Sequence, residues 1–113
     1  MVKYSEAKLD TVFAALADST RRGMLKRLLD GETSVSELAA PYSMSLPAVM
    51  KHLEVLDAAG LIVRHKEGRV SRCRLRAKPM RHAVEWLAQY RQFWEGQLDS
   101  LGAFLANQKG EKR

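Results

Sequence analysis

The sequence predicts a mainly α-helical fold that carries a two-stranded β-wing and ends in a long C-terminal helix. Apolar residues recur at helical spacing in the first half, alternation replaces that period over residues 61–76, and helical spacing returns over residues 80–107. The chain has 113 residues, which is enough for one hydrophobic core and too few for two. We therefore expect a single domain over residues 1–113.

The composition excludes several classes of protein. Hydrophobic residues make up 46% and charged residues 28% of the chain, as in folded globular domains. No apolar run approaches the ~20 residues that a membrane span needs, and the N-terminus lacks the apolar segment of a secretory signal. Cys73 is the single cysteine, so an intramolecular disulfide is ruled out. We expect a cytoplasmic protein without membrane association.

The positive charge is concentrated in one block of the chain. The 19 Lys and Arg residues exceed the 13 Asp and Glu residues by six. Residues 42–78 hold eight basic and three acidic side chains, a net charge of +5, whereas residues 1–41 are neutral and residues 79–113 carry +1. A focused basic stretch is typical of a polyanion-binding surface, although a solvated basic surface is the alternative.

Residues 34–59 are predicted to form two short helices joined by a brief turn. Ser45 is placed to begin the second of these helices as its N-cap, and Pro47 is tolerated in the first turn. An apolar stripe at i, i+4 and i+7 faces the core and consists of Val49, Leu53 and Leu56. This pattern indicates a helix-turn-helix.

Residues 61–76 are predicted to form a β-hairpin around Glu67-Gly68-Arg69, with Gly68 at the positive-φ position. The second strand alternates, so that Arg72 lies on one face and Cys73 on the other, inward face. Cys73 is accordingly expected to be a small buried hydrophobe. A basic two-stranded wing directly after a helix-turn-helix is the winged-helix arrangement.

Residues 80–107 are predicted to form one helix of ~42 Å, which is longer than so small a domain can cover. We expect a second copy to bury its apolar side chains, together with a first helix over residues 9–17. The alternative is that the long helix packs only on its own domain. The residues expected at the dimer interface are Leu9, Val12, Phe13, Leu16, Trp86, Leu87, Tyr90, Trp94, Leu98 and Leu101.

Roughly residues 9–76 resemble the ArsR-type family of winged-helix repressors. The similar strings are Asp18-Ser19-Thr20-Arg21-Arg22, Ser36-Glu37-Leu38-Ala39, the stretch from Ser45 to Leu56, Ala59-Gly60-Leu61-Ile62 and Glu67-Gly68-Arg69. The resemblance implies a homodimeric bacterial transcription repressor that leaves its operator when an effector binds. It also implies a dimer interface made from the first and last helices. The sequence does not name the effector.

The resemblance departs from the metal-sensing members of that family. Those members often carry Cys-Val-Cys in the third helix, whereas this chain has Ser34-Val35-Ser36, and hydroxyl groups are poor ligands for soft metals. A second metal site of the family uses Asp and His pairs across the last helix, whereas this chain has Glu95 and Asp99 there and no histidine beyond His82. We therefore expect no metal site and no cofactor.

Double-stranded DNA is the expected partner. In a helix-turn-helix, the N-terminal half of the second helix enters the major groove, where Lys51 can reach a guanine edge or a phosphate. His52 can bond a phosphate or lie against the third helix, and Arg69 at the wing turn suits the minor groove. The expected DNA-binding residues are Ser45, Leu46, Pro47, Met50, Lys51 and His52 on the helix and Arg64, Lys66, Arg69 and Arg72 on the wing. Contacts to ~4 phosphates per protomer predict a salt slope near −7.

Three other functions remain open from the sequence. An enzyme is disfavoured because no nucleophile–base pair, phosphate loop or paired carboxylates stand out, and no catalytic residue is assigned. A winged-helix module that binds protein rather than DNA is a second alternative. A small-molecule-responsive regulator of another family is the third.

Overall fold

The computed structural model of the chain describes residues 6–96 and residue 105. Its elements are α1 (Glu6–Leu16), α2 (Ser19–Leu28), β1 (Thr33–Ser34), α3 (Val35–Ala39), α4 (Leu46–Ala58), β2 (Ile62–Glu67), β3 (Val70–Leu75) and α5 (Met80–Ala88). The chain divides into two compact units, Met1–Ala83 and Val84–Arg113, which are described separately below. The single domain over residues 1–113 stays a prediction.

Short polar side chains begin three of the helices. Asp18 accepts a hydrogen bond from the backbone N–H of Arg21 at α2, and Ser34 accepts one from Glu37 at α3. Ser45 begins α4 in the same way, as predicted, with Ala48 N–H as its donor at 3.3 Å. Each cap satisfies a backbone donor that the helix leaves unpaired and contributes about 1 kcal/mol.

The C-terminal end of α1 is held by two arginines of α2. The guanidinium of Arg21 donates to the carbonyl oxygens of Ala15 at 2.8 Å and Ala14 at 2.9 Å. Arg22 donates to the carbonyl oxygen of Leu16 at 2.7 Å. Because the last carbonyls of a helix lack partners within it and carry partial negative charge, these cations stabilise α1 and fix it to α2.

The hairpin belongs to a three-stranded antiparallel sheet in the order β1-β3-β2. The register of β2 on β3 runs from Ile62 opposite Leu75 to Glu67 opposite Val70, and Gly68 turns the chain at φ 65°. The two-stranded wing predicted over residues 61–76 therefore lacked one strand. β1 pairs its two residues with Cys73 and Arg72, and a two-residue strand is too short to show an alternating pattern.

The helices of the first unit and the base of the sheet enclose one hydrophobic core. The predicted stripe on α4 is buried, with Val49 1% exposed and Leu53 and Leu56 0% exposed. Cys73 is fully buried on the inward face of β3, as predicted. The other large side chains of this core include Met24, Leu25, Leu28, Leu38, Leu61 and Ile62.

The single helix predicted over residues 80–107 is interrupted. α5 ends at Ala88, residues 89–90 form a turn, and residues 91–96 are helical again. In this region the N–H groups of Gln89, Tyr90 and Phe93 donate to carbonyls three residues back instead of four. The apolar spacing of this segment is compatible with either pattern, so the sequence did not reveal the break. None of the helices in the described residues is both long and apolar enough to cross a membrane.

Candidate nucleic-acid interface

The N-terminal half of α4 presents polar and apolar side chains to solvent. Ser45, Pro47 and Lys51 are exposed, and the Leu46 side chain is 63% exposed. Met50 was expected to face outward with them, but it is half-buried against the core. The stretch from residue 46 to residue 52 contains no acidic residue, so its outer face is apolar with one cation.

His52 lies against α2, which the sequence did not anticipate, because its structural alternative was contact with the third helix. Its Nδ1 atom is 3.1 Å from Nη1 of Arg21 and 3.9 Å from Oδ2 of Asp18. An arginine can donate only to an unprotonated ring nitrogen, so this contact requires Nδ1 to act as an acceptor. The Arg21 backbone N–H, and then the charge of the Arg21 guanidinium, lower the pKa of Asp18. His52 therefore joins α4 to α2.

Two of the four predicted wing cations are engaged in ion pairs. Arg64 donates from Nε and Nη2 to Oδ2 of Asp57 at 3.1 and 3.0 Å. Arg72 donates from Nε to Oε2 of Glu32 at 2.7 Å and lies 3.8 Å from Glu67. The hydrogen bond lowers the pKa of Glu32 and raises that of Arg72. These two arginines are thus partly neutralised by the protein itself.

Lys66 and Arg69 remain available near the wing tip. Both side chains are exposed, and within the described residues neither forms an ion pair. Lys51 on α4 is in the same situation. These three residues are called the open cations below. Exposed cations without protein partners are the groups that can neutralise phosphates.

A basic cavity separates α4 from the wing. It has a volume of about 330 Å³ and its lining consists of Val35, Met50, Arg64, His65, Lys66 and Ser71. His65 is also near Glu32, with 3.6 Å between Nε2 and Oε2. His65 and Ser71 could not be predicted at this site from the sequence, because only the pairing of β2 with β3 brings them beside α3 and α4.

The residues expected at a dimer interface fall into two groups. In α1, Leu9 and Val12 are already buried within the protomer, at 3% and 2% exposure, and Phe13 and Leu16 are half-buried. Leu9 and Val12 therefore have little surface left to offer a partner.

In the second unit, Leu87, Tyr90 and Trp94 are 45%, 42% and 40% exposed. Trp86 is half-buried, and its ring centroid lies 5.1 Å from that of Tyr90. Phe93, which the sequence analysis did not select, is 70% exposed. The last two expected residues, Leu98 and Leu101, lie outside the described residues.

The expectation of no metal site can be compared with the donor groups present. Among the residues that the structure describes, no cluster of three or more His, Cys, Asp or Glu side chains could hold a metal ion. The Ser34 hydroxyl is engaged as the cap of α3. Burial raises the pKa of the Cys73 thiol, which disfavours the thiolate that metals and oxidants require.

A short helix and a second helix with an exposed N-terminal half, followed by a β-hairpin with cations near its tip, define a winged helix-turn-helix protein. The comparisons assign it more narrowly. The sequence model of the family described as "Bacterial regulatory protein, arsR family" matches residues 18–63. The arsenical resistance operon repressor of Escherichia coli (strain K12) is 30% identical over 98 residues, which cover 85% of this chain and 80% of that protein. The chain belongs to the ArsR family of transcriptional regulators.

Two solved structures share the fold. The crystal structure of an ArsR family transcriptional regulator is 44% identical, with a TM-score of 0.76 over 84% of this chain and 97% of that one. A homodimeric winged helix-turn-helix DNA-binding domain from Mycobacterium bovis is 22% identical, with a TM-score of 0.60 over 84% of this chain and 95% of that one. At that lower identity the likeness concerns the fold. The family, the Escherichia coli relative and the first of these two structures are regulators, which supports a role other than catalysis.

Proposed function

We propose that this chain is a homodimeric repressor that inserts α4 into the major groove of a palindromic operator and rests its wing on the flanking backbone. The observation that carries the proposal is the placement of the open cations Lys51, Lys66 and Arg69, while Arg64 and Arg72 are held in ion pairs. The name of the Escherichia coli relative supports repression rather than activation. Such a protein acts in the cytoplasm, where its operator lies.

The dimensions of α4 suit the major groove. Its 13 residues span about 20 Å at about 1.5 Å per residue, and the exposed half begins at the Ser45 cap. Lys51 can donate to guanine O6 and N7 or to a phosphate. Leu46 and Pro47 are exposed apolar groups, and their apolar surface makes no favourable contact in water. Thymine methyl groups offer them apolar contact.

The cavity between α4 and the wing fits the DNA backbone. It combines the Lys66 ammonium with the Ser71 hydroxyl, and both are groups that donate to phosphate oxygens. A DNA strand that passes through this cavity would contact α4 and the hairpin together. This contact would fix the register of α4 without reading the sequence.

The second unit supplies the surface for a second copy. Val84 and Phe93 are 64% and 70% exposed, and three further apolar side chains in residues 84–96 are 40–45% exposed. A monomer that leaves so many large apolar groups in water is unusual, and burial against an identical segment satisfies both copies. A two-fold dimer then reads half-sites about 34–36 Å apart.

The DNA-binding part of the proposal is tested by selecting duplexes from sheared genomic DNA with the purified protein. A Lys51→Ala, Arg69→Ala double variant should lose retention of the selected duplex and keep the native circular dichroism spectrum. The matched control, Lys26→Ala, removes one exposed charge from α2 and should bind normally. Equal binding by the double variant and the wild type would refute this interface.

The dimer part is tested by sedimentation at micromolar concentration. Phe93→Glu should shift the protein from dimer to monomer, because it introduces a charge into the apolar surface. Leu29→Glu is the control, since Leu29 is 71% exposed on the first unit. A wild type that sediments as a monomer would contradict the proposal.

A further inference from the structure

The first unit contains a second, larger cavity away from the proposed DNA interface. Its volume is about 460 Å³, within the range of about 300–1,000 Å³ that small-molecule sites occupy. α1 forms one wall, the C-terminal end of α4 forms the floor, and the segment after β3 closes the other side. The lining includes the apolar side chains of Val12, Ala58, Ala59 and Pro79.

The charge around this cavity has one sign. Lys8, Arg76 and Lys78 all line it, and no aspartate or glutamate is among the lining residues that the structure describes. Arg76 and Lys78 belong to the segment after β3, and both are exposed. Like charges that converge on a concave surface raise the local concentration of anions.

The C-terminal end of α4 contributes a partial negative charge, which opposes anion binding. Several of its carbonyls already have donors: Leu61 N–H bonds the Leu56 oxygen at 3.0 Å, and Gly60 N–H bonds the Asp57 oxygen at 2.9 Å. Nη1 of Arg76 lies 3.4 Å from the Gly60 oxygen, a long hydrogen bond that leaves the remaining guanidinium donors available. The full charges of Arg76 and Lys78 therefore dominate the field at the floor.

Glycine at position 60 keeps this floor open. Its φ is +73°, and a Cβ added there would come within 3.3 Å of both Arg76 Nη1 and Pro79 Cγ. A side chain would crowd the guanidinium just where it borders the cavity. The positive φ is sufficient to explain glycine at position 60. The absence of a Cβ also leaves the space that the Arg76 guanidinium occupies.

We infer that this cavity binds a small molecule that joins one anionic group, a carboxylate or a phosphate monoester, to a compact apolar body. Arg76 and Lys78 hold the anionic group by charge-assisted hydrogen bonds, and Ala58 and Pro79 contact the apolar body. None of these residues belongs to the proposed DNA interface, so the site stands or falls independently of the proposed function.

The site is tested with 1-naphthoate, 1-naphthyl phosphate and the neutral 1-naphthamide, without DNA. Binding is followed by probe fluorescence and by amide chemical shifts in the ¹⁵N-labelled protein. At least one of the two anions should bind saturably and shift the amides of Gly60, Lys78 and His82, and its identity tells carboxylate from phosphate. The amide should bind at least about tenfold more weakly than that anion.

Substitutions separate the site from general attraction to a basic protein. Arg76→Gln and Lys78→Gln should each weaken anion binding about tenfold, while Lys26→Gln removes a charge that does not line the cavity and should have no effect. Equal binding of naphthamide and the tighter-binding of the two anions would overturn the inference. So would the absence of saturable binding by both anions, or equal losses in all three variants.

Discussion

The salt dependence of DNA binding gives the sharpest test of the interface, because the structure changes the expected slope of log affinity against log salt. Each open cation can neutralise one phosphate, so the three open cations give about six contacts per dimer and a slope near −5.4 in log affinity against log salt. Counting four contacts per protomer from the sequence gave a slope near −7. The smaller value counts only the three open cations and leaves out Arg64 and Arg72, which are paired with Asp57 and Glu32.

Arg69→Ala removes one open cation per protomer. About four contacts per dimer then remain, and the slope should fall to near −3.6. Fluorescence anisotropy of a labelled duplex, titrated at several KCl concentrations, measures both slopes. The free energy of unfolding should not change, since Arg69 is exposed and forms no ion pair in the described residues.

Lys26→Ala is the control for the loss of one unit of net charge, and its slope should equal that of the wild type. The reasoning fails if Arg69→Ala keeps the wild-type slope while Lys26→Ala does not. It also fails if the wild-type slope is flatter than about −2, because that value corresponds to about two phosphates for the whole dimer.

Three further predictions concern stability and are checked by chemical denaturation. Arg21→Ala should destabilise the protein by about 2 kcal/mol, since it removes two hydrogen bonds to the end of α1 and the contact with His52, while Arg22→Ala, which loses one bond, should cost about 1 kcal/mol. Gly60→Ala should cost about 2 kcal/mol and Gly68→Ala about 1 kcal/mol, because both glycines have positive φ but only Gly60 has close neighbours. The lowered pKa of Glu32 contributes stability above its unfolded pKa, and this stability is lost as pH falls through the folded pKa. When the pH is lowered from 5 into the range below the usual carboxyl pKa, the Glu32→Gln variant should therefore lose less stability than the wild type. Equal losses would show that the ion pair does not contribute.

The local signals in the sequence predicted much of the first unit. The Ser45 cap, the buried stripe on α4, the glycine turn at residue 68 and the burial of Cys73 all follow from spacing and residue type, and the structure shows each of them. Such features depend on neighbours within a few residues, which the sequence displays directly.

The missed features depend on distant neighbours. Arg72 pairs with Glu32 across 40 positions, and His52 meets Arg21 across 31 positions. Neither pairing can be read from the sequence until the sheet register and the packing of α4 on α2 are known. For the same reason, the sequence offers candidate cations for the predicted DNA interface but could not say which of them the fold itself would neutralise.

Ser34 has a double position in the fold, because it pairs with Arg72 in the sheet and also caps α3. The hairpin and the helix-turn-helix are thereby joined at one residue, and the part of β3 between this junction and Gly68 has no β1 partner. We expect this junction to hold the base of the hairpin at a set distance from the helix-turn-helix. A duplex whose grooves do not match this distance must itself bend or change its groove width. The stiffness of its base steps then becomes part of what the protein discriminates.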